Sequence, residues 1–589
     1  MATSLSSERQ RTHTRPRLLG LALALGALLL GALSYGTWAW HIEGKPYRAL
    51  AQFFFARQDM WVLDGYAAAL ALMAIWAWTL KSRPQSAYRR RSATGQTLAI
   101  LLGIVAAVLV ARLGRDLVFH GYSLSRDELM VEMAGAYLAD GRIGWPIPPD
   151  WLAYKTAIQP EFYSPYGADT HWTAIYLPIH AAIRALFVRL GDASLAAPVT
   201  LAVGLLALWR IVRQLIPGRS DAQAITMVMA LSSAQLLATA MTPYAMTSHF
   251  ALDMVWLALV LRGGKLGHGL AALVALLAAG LHQWHFPLIF MAPFIPWLFA
   301  CRNWRAGLFH GVVCILMMVI WARLWPMLLI HEVGPAPLSD VHRTNGIMDK
   351  LESLFGRLDS WQPLLNNARL FAWNNLLLLP LALLSLFAIR WRSFFREPSI
   401  ILPLLAAVGL GMGFALYQGY GWGFRYMHGQ IGALCLLAGF GWTAVTRPAD
   451  RAAQRIVVAG TILSLLAGAW LLYDTERYVR GYGKAMSAIR SAKADVVLVD
   501  IRGGYYMTDL VRFHEGRMGR PVVMALQMLS FDQLDRLCKT HHIAIVDQDL
   551  FGPLGVHAIP SVFRGSQYIE ARREHLAERG CGSAIEPAQ

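Results

Sequence analysis

Residues 123–142 read Ser123-Leu-Ser-Arg-Asp-Glu-Leu-Met-Val-Glu-Met-Ala-Gly-Ala-Tyr-Leu-Ala-Asp-Gly-Arg142. Ser125 and Glu128 have capping-box spacing, which predicts a helix with Ser125 as N-cap and Asp127 in its first turn. Leu129, Met133 and Tyr137 form an apolar stripe along it, with Met130, Ala134 and Leu138 beside them. This is the pattern of an amphipathic helix lying on a membrane with an acidic start. The box and the helix dipole give Glu128 a local task. They leave Asp127 without one, at a boundary where a carboxylate can meet lipid-borne and soluble reactants together.

The segment follows directly on an apolar run, and such runs fill most of the chain. They lie near 18–39, 62–80, 97–114, 196–216, 222–240, 247–261, 268–281, 284–300, 308–329, 371–389, 399–417, 428–446 and 454–473. Thirteen runs of spanning or near-spanning length predict an α-helical polytopic membrane protein of about 13 transmembrane helices. Composition agrees. Of 589 residues, 56% are hydrophobic and 15% charged, against about 25% charged in soluble domains. Mean hydropathy is +0.42. A soluble, disordered or fibrous chain is excluded. The first run follows Arg9, Arg11, Arg15 and Arg17 and continues to Trp38 and Trp40 without a small-residue cleavage site, so it reads as a retained signal-anchor.

The net charge of +17 is explained by orientation. With the N-terminus in the cytoplasm, the stretches 1–17, 81–96, 209–221, 262–268, 301–307, 390–397 and 447–455 hold 22 Lys and Arg, against the acids Glu8, Asp221, Glu397 and Asp450. That satisfies the positive-inside rule and removes the case for a nucleic-acid partner. Residues 171–190 resemble a further span, but counting them would place Arg210, Arg213 and Arg219 outside. Ile175, Ile179, Ala182, Leu186 and Leu190 share one side, so the stretch reads as an interfacial or re-entrant helix.

Three regions are then expected outside: 115–195, 331–370 and a tail from about 474. In the tail, 496–501, 521–526 and 543–547 read as buried strands alternating with helices near 505–515 and 530–540, a small C-terminal α/β periplasmic domain of βαβαβ type. The expected parts are residues 1–96, a tail with two additional transmembrane helices; 97–473, the transmembrane core with its large outer loop 115–195; and 474–589, a linker and the soluble unit. Cys538 and Cys581 both fall in the tail, where a disulfide is permitted and two free thiols are an equal reading.

Several stretches, in order, carry a resemblance. They are the outer-face Asp127-Glu128 after a span, "YLADGR" at 137–142, Glu161-Phe-Tyr-Ser-Pro-Tyr-Gly167, Tyr244-Ala-Met-Thr-Ser-His-Phe-Ala-Leu-Asp253, the polar knot His282–His285, and Gly419-Tyr-Gly-Trp-Gly-Phe-Arg-Tyr426. Over about residues 97–446 the set resembles the GT-C glycosyltransferases, of the type of bacterial protein O-mannosyltransferases and the lipid A aminoarabinose transferase. No Lys stands where those relatives carry Lys-Pro-Pro or Thr-Lys-Gly. The resemblance implies a multi-pass bacterial inner-membrane enzyme that inverts a sugar as it moves from a polyprenyl-phosphate donor to a glycan, lipid or protein acceptor on the periplasmic face.

That chemistry asks for few residues. The leaving group is already a stable phosphate, so one carboxylate suffices to take the acceptor's hydroxyl proton, and Asp127 is the candidate. The departing phosphate asks for fixed positive charge. Arg425 is the single basic residue of its loop, with snorkelling to headgroups as its alternative. His282 and His285 can supply the missing lysine's donors or be an interfacial pair. Tyr426 stands next to Arg425, and His171 is a weaker phosphate candidate. Asp253 lies inside a span four residues after His249, and should face a cavity with His249 as its partner. Glu161 and Asp169 can orient the acceptor or a divalent cation. No cofactor is otherwise implied. A transporter or flippase of a lipid-linked or anionic substrate is the alternative reading, and an envelope scaffold a third.

Overall fold

A computed structural model describes residues 15–42, 50, 52–79, 93–159, 161–336, 362–389, 398–414, 418, 421–446, 450–557 and 566–585. Arg9, Arg11, Glu397, Gly419, Tyr420, most of 81–96 and the middle of 331–370 lie outside them. Among the described residues six helices are long and apolar enough to cross a membrane: Arg17–Trp40, Phe53–Thr79, Thr94–Leu117, Ala193–Leu215, Trp304–Val333 and Arg451–Ser491. The run at 222–240 is not one helix. Ser220–Leu231 and Ala234–Ala240 meet at a bend of 50°. Shorter apolar helices, among them Gly264–Ala279, His285–Ala300 and Ile401–Gly413, fill in between.

The bend is built from polar side chains, as a break inside apolar surroundings must be. Ser233 caps the second piece through Leu236 N (3.1 Å) and donates to Asn374 Oδ1 (2.6 Å), while Asn375 donates to Ser232 Oγ (2.8 Å). Asn374 and Asn375 themselves sit in a second interruption, between Gln362–Ala372 and Leu378–Leu384. Two broken helices thus satisfy one another.

Helix Arg126–Ala139 forms where expected. It is rich in Ala, Leu, Met and Glu, and it stops at Asp140 with Gly141 at φ 74°. It does not skim a surface, however. Nearly all its residues are buried, because Ile179–Arg189, the helix read as interfacial, packs along it and residues 507–517 cover its start. The capping box is also absent. Ser125 Oγ bonds Tyr244 Oη (2.8 Å), and Glu128 turns inward.

Arg451–Ser491 runs 41 residues, about 61 Å at 1.5 Å per residue and twice the thickness of a hydrocarbon core. Its far half packs beneath a four-stranded parallel sheet. The strands are β3 (Val496–Val499), β4 (Val522–Ala525), β5 (Ile543–Val546) and β6 (Ser583–Ala584), in the order β4-β3-β5-β6; β1 (Trp145–Pro146) and β2 (His171–Trp172) make a separate small hairpin. The helix expected near 505–515 is only a 3-10 turn at Met507–Leu510. Its neighbours Gly503 and Gly504 disfavour a helix, and the stretch is spent on contacts to the loop before Asp127. Cys538 and Cys581 form a disulfide that ties helix Phe531–Thr540 to the last strand.

Candidate functional site

Asp127 and Arg425, 298 residues apart, form an ion pair with Arg425 Nη1 3.1 Å from Asp127 Oδ2. Tyr176 Oη donates to the other carboxylate oxygen. The Asp127 side chain is 23% exposed and Arg425 6%, so the carboxylate is the more accessible member of the pair. Burial pushes Asp127 up, but Arg425, His282 and the Tyr176 hydroxyl outweigh it and hold the carboxyl below its ordinary range. Asp127 is therefore ionised at neutral pH. Arg425 also lies over the Tyr244 ring at 4.6 Å. Its Nε is buried with no hydrogen-bond partner among the described residues. One charged donor is left over for an anion.

The loop that presents Arg425 is braced from below. Gln235, in the second piece of the bent helix, donates to the Phe424 carbonyl (2.6 Å) and accepts from Phe424 N (3.2 Å). Arg369 donates to the Gly421 carbonyl. Arg369 Nε in turn faces Asp59 Oδ2 at 3.3 Å, both side chains fully buried, and Trp373 holds Asp59 Oδ1 (2.7 Å). The second apolar helix of the chain, Phe53–Thr79, thus supports the Arg425 loop through one carboxylate. Asp59→Ala strands a buried guanidinium. It is expected to cost about 3–5 kcal/mol, read as a lowered unfolding temperature; a loss under about 1 kcal/mol would show that the brace carries little.

The other residues anticipated from sequence divide. His282 stacks on Tyr176 at 4.2 Å and borders the pair. Burial lowers its pKa to about 4, so at neutral pH it is an uncharged ring. His285 is exposed at the start of its helix, with its ring 4.6 Å from Phe286. Tyr426 meets Phe286 at 4.8 Å, and His249 meets the same ring at 5.7 Å. His249, Asp253, Arg425 and Tyr426 line one narrow cleft. The expected His249–Asp253 partnership does not form. Both ring nitrogens of His249 and one Asp253 oxygen are unpartnered among the described residues. Asp253 instead occupies the space over Gly429, where a Cβ would meet its carboxylate at 2.2 Å. His171 lies in β2 and bonds Thr170 (2.9 Å). Glu161 is exposed and lies in the field of Arg126 and Asp509, while Asp169 pairs with Lys155. Among the described residues no three His, Cys, Asp or Glu are grouped to hold a metal ion.

Glu128 contrasts with its neighbour. It is fully buried, neither oxygen has a partner among the described residues, and burial followed by Glu132 raises its pKa well above the ordinary value. Adjacent carboxyls are thus pushed in opposite directions, Asp127 down by its charged neighbours and Glu128 up by burial.

Sequence reasoning missed the residues that arrive from far away. Arg126 donates to the Val511 carbonyl (2.6 Å), and Arg512 donates to the Ser123 carbonyl (2.6 Å) while lying 4.1 Å over the Tyr122 ring. Gly516, at φ 76°, lets the strap touch the helix. A Cβ there would meet the Glu132 carbonyl at 2.4 Å. Asp509 is buried beside Arg126 and Arg512 and is pushed up to about 7 by burial. No motif announces this strap. Tyr176 had a signal only in its place just before an amphipathic helix, and Tyr244 in opening the Tyr-to-Asp253 stretch.

No protein-family model matches the chain. No curated protein is similar to it in sequence. Solved structures similar to it include ArnT from Cupriavidus metallidurans in the apo state, 13% identical over 76% of this chain and 92% of that one, with a TM-score of 0.46. The same protein bound to undecaprenyl phosphate is 13% identical over 71% and 85%, with a TM-score of 0.44. The arabinofuranosyltransferase AftD from Mycobacteria is 16% identical over 68% of this chain and 32% of that one, with a TM-score of 0.35.

Proposed function

We propose that the chain is a membrane-embedded inverting glycosyltransferase of GT-C type, which moves a sugar from a polyprenyl-phosphate donor to an envelope acceptor. In this reading the shorter apolar helices complete a bundle of about 13, with residues 1–96, 97–473 and 474–589 as its parts. The N-terminus is cytoplasmic in a bacterial inner membrane and the sheet unit periplasmic. The observation that carries the reading is the Asp127–Arg425 pair: a carboxylate and a guanidinium with a spare donor, together at the end of the bundle where the long loops gather.

The chemistry balances on these two groups. The acceptor oxygen attacks the anomeric carbon and its proton passes to Asp127. The bond from that carbon to the phosphate oxygen breaks, and the electron pair leaves on the phosphate, beside Arg425. In the unliganded pair Arg425 weakens Asp127 as a base. A donor phosphate competes for the guanidinium, and Asp127 becomes more basic when the sugar is in place. His282 contributes a neutral ring beside the base.

The pH profile tests this. A depressed carboxyl pKa means activity is present through the neutral range and lost only as pH falls through that value. Arg425→Gln removes the charge that depresses Asp127, so the acid limb of the residual kcat/KM is expected to move to higher pH. An unmoved limb would assign it to another group. A transporter or flippase is favoured by one observation, the two broken helices that meet at Ser232–Ser233 and Asn374–Asn375. Movement of labelled donor lipid between leaflets, with no label transferred to acceptor, would make that the better reading.

A further inference from the structure

Above the reaction centre, a second cavity opens between the end of the long helix Arg451–Ser491 and the strap 512–523. Arg490, Arg512, His514 and Arg520 stand around it, its floor includes Ile489 and Phe513, and no acidic residue lines it. Arg512 is spent on the Asp509 and Ser123 carbonyls. Arg490 and Arg520 are exposed at the mouth, and Arg520 has only a loose contact to Asp495 at 3.9 Å. Partial burial and the neighbouring Arg512 lower the pKa of Arg490 and outweigh Glu132 and Glu515, which raise it.

We infer that this cavity is a binding site for the carboxylate or phosphate of an acidic glycan, and that it holds the acceptor. The second half rests on the transferase reading. Charge complementarity names the anion, and the apolar floor suits the CH-rich face of a sugar ring.

Position separates a glycan from a lipid headgroup. Arg490 lies 17 residues beyond Tyr473, where the long helix's apolar run ends, or about 25 Å further along the axis. The headgroup layer is only about 5–8 Å deep. The chain leading to Asp127 is closer: Tyr482, eight residues before Arg490, stacks on Tyr122 at 6.2 Å, so Arg490 lies about 12 Å beyond that contact along the helix. The cavity wall is also bonded to the chain just before Asp127, through Arg126 to Val511 and Arg512 to Ser123. A short acidic oligosaccharide anchored here reaches down toward the base.

The test uses the full chain in nanodiscs of neutral lipid and a fluorescent tetragalacturonate as probe, read by anisotropy. Saturable binding is expected, weakened about tenfold or more in the double variant Arg490→Gln with Arg520→Gln, and unchanged in Asp127→Asn. Inorganic phosphate at millimolar concentration should compete, and neutral maltotetraose should not. No saturable binding, equal binding by the double variant, or equal competition by maltotetraose would overturn the site. Loss of probe binding in discs containing phosphatidylglycerol would overturn the glycan and assign the cavity to a headgroup. Because binding is read without transfer, an inactive protein that still binds the probe through these arginines would defeat the transferase reading and leave the site standing.

Discussion

Asp127→Asn is expected to cut sugar transfer by about 10²–10⁴-fold, the usual contribution of a positioned general base, while the protein stays folded and still takes up donor lipid. The substitution is close to isosteric. An amide oxygen remains to accept from Tyr176, so the loss falls on the proton acceptor and not on the shape of the site. The measurement is label passing from donor lipid to envelope material in membranes carrying each variant at equal, folded abundance. Donor binding is checked separately. Glu128→Gln is the informative control: Glu128 is buried without a hydrogen-bond partner among the described residues and away from the Arg425 pair, so an amide in its place should cost far less. Full transfer by folded Asp127→Asn would end the base assignment.

Asp127 and Arg425 could be singled out from sequence because each breaks a local rule. Asp127 is an acid that helix capping does not need, and Arg425 is a lone cation in a loop of glycine and aromatics. Their pairing could not be read. Nothing in hydrophobic periodicity tells which of many loops meet, and 298 residues separate these two. The same limit hid the strap. Arg126, Val511, Arg512 and Gly516 look like ordinary loop residues until the C-terminal unit folds back over Tyr122 and Ser123. The capping box misled for a related reason. Ser125 and Glu128 have its spacing, but Tyr244 takes the serine hydroxyl, and burial takes the glutamate. Local propensity lost to tertiary packing. The strands β3, β4 and β5 were legible because buried parallel strands are continuous apolar runs. The two-residue β6 was too short to leave a pattern. Apolar runs also overstated continuity at 222–240, where Ser232 and Ser233 look harmless in a hydropathy average and yet supply the bend.

Arg425→Ala carries the second large effect. It removes the cation facing the leaving phosphate, and a loss of about 10²–10³-fold in kcat/KM for donor is expected. The phosphate is charged before and during departure, so the donor KM should rise as well as kcat fall. Arg425→Lys should recover part of this: the charge returns, but not the planar fork that can hold Asp127 and a phosphate at once. The brace sharpens the interpretation. Gln235 and Arg369 grip the backbone at Phe424 and Gly421, so the loop keeps its path when the Arg425 side chain is cut. Unchanged donor kinetics in Arg425→Ala would make Arg425 a headgroup anchor and move the phosphate elsewhere.

The most direct test of the central claim is a density map of the full chain with a non-transferable polyprenyl-phosphate sugar bound. The expected result places the phosphate within hydrogen-bond distance of the Arg425 guanidinium and the anomeric carbon facing Asp127, with the 3.1 Å pair opened to admit them. A donor phosphate lying away from Arg425, with the Asp127–Arg425 pair still closed, would contradict it.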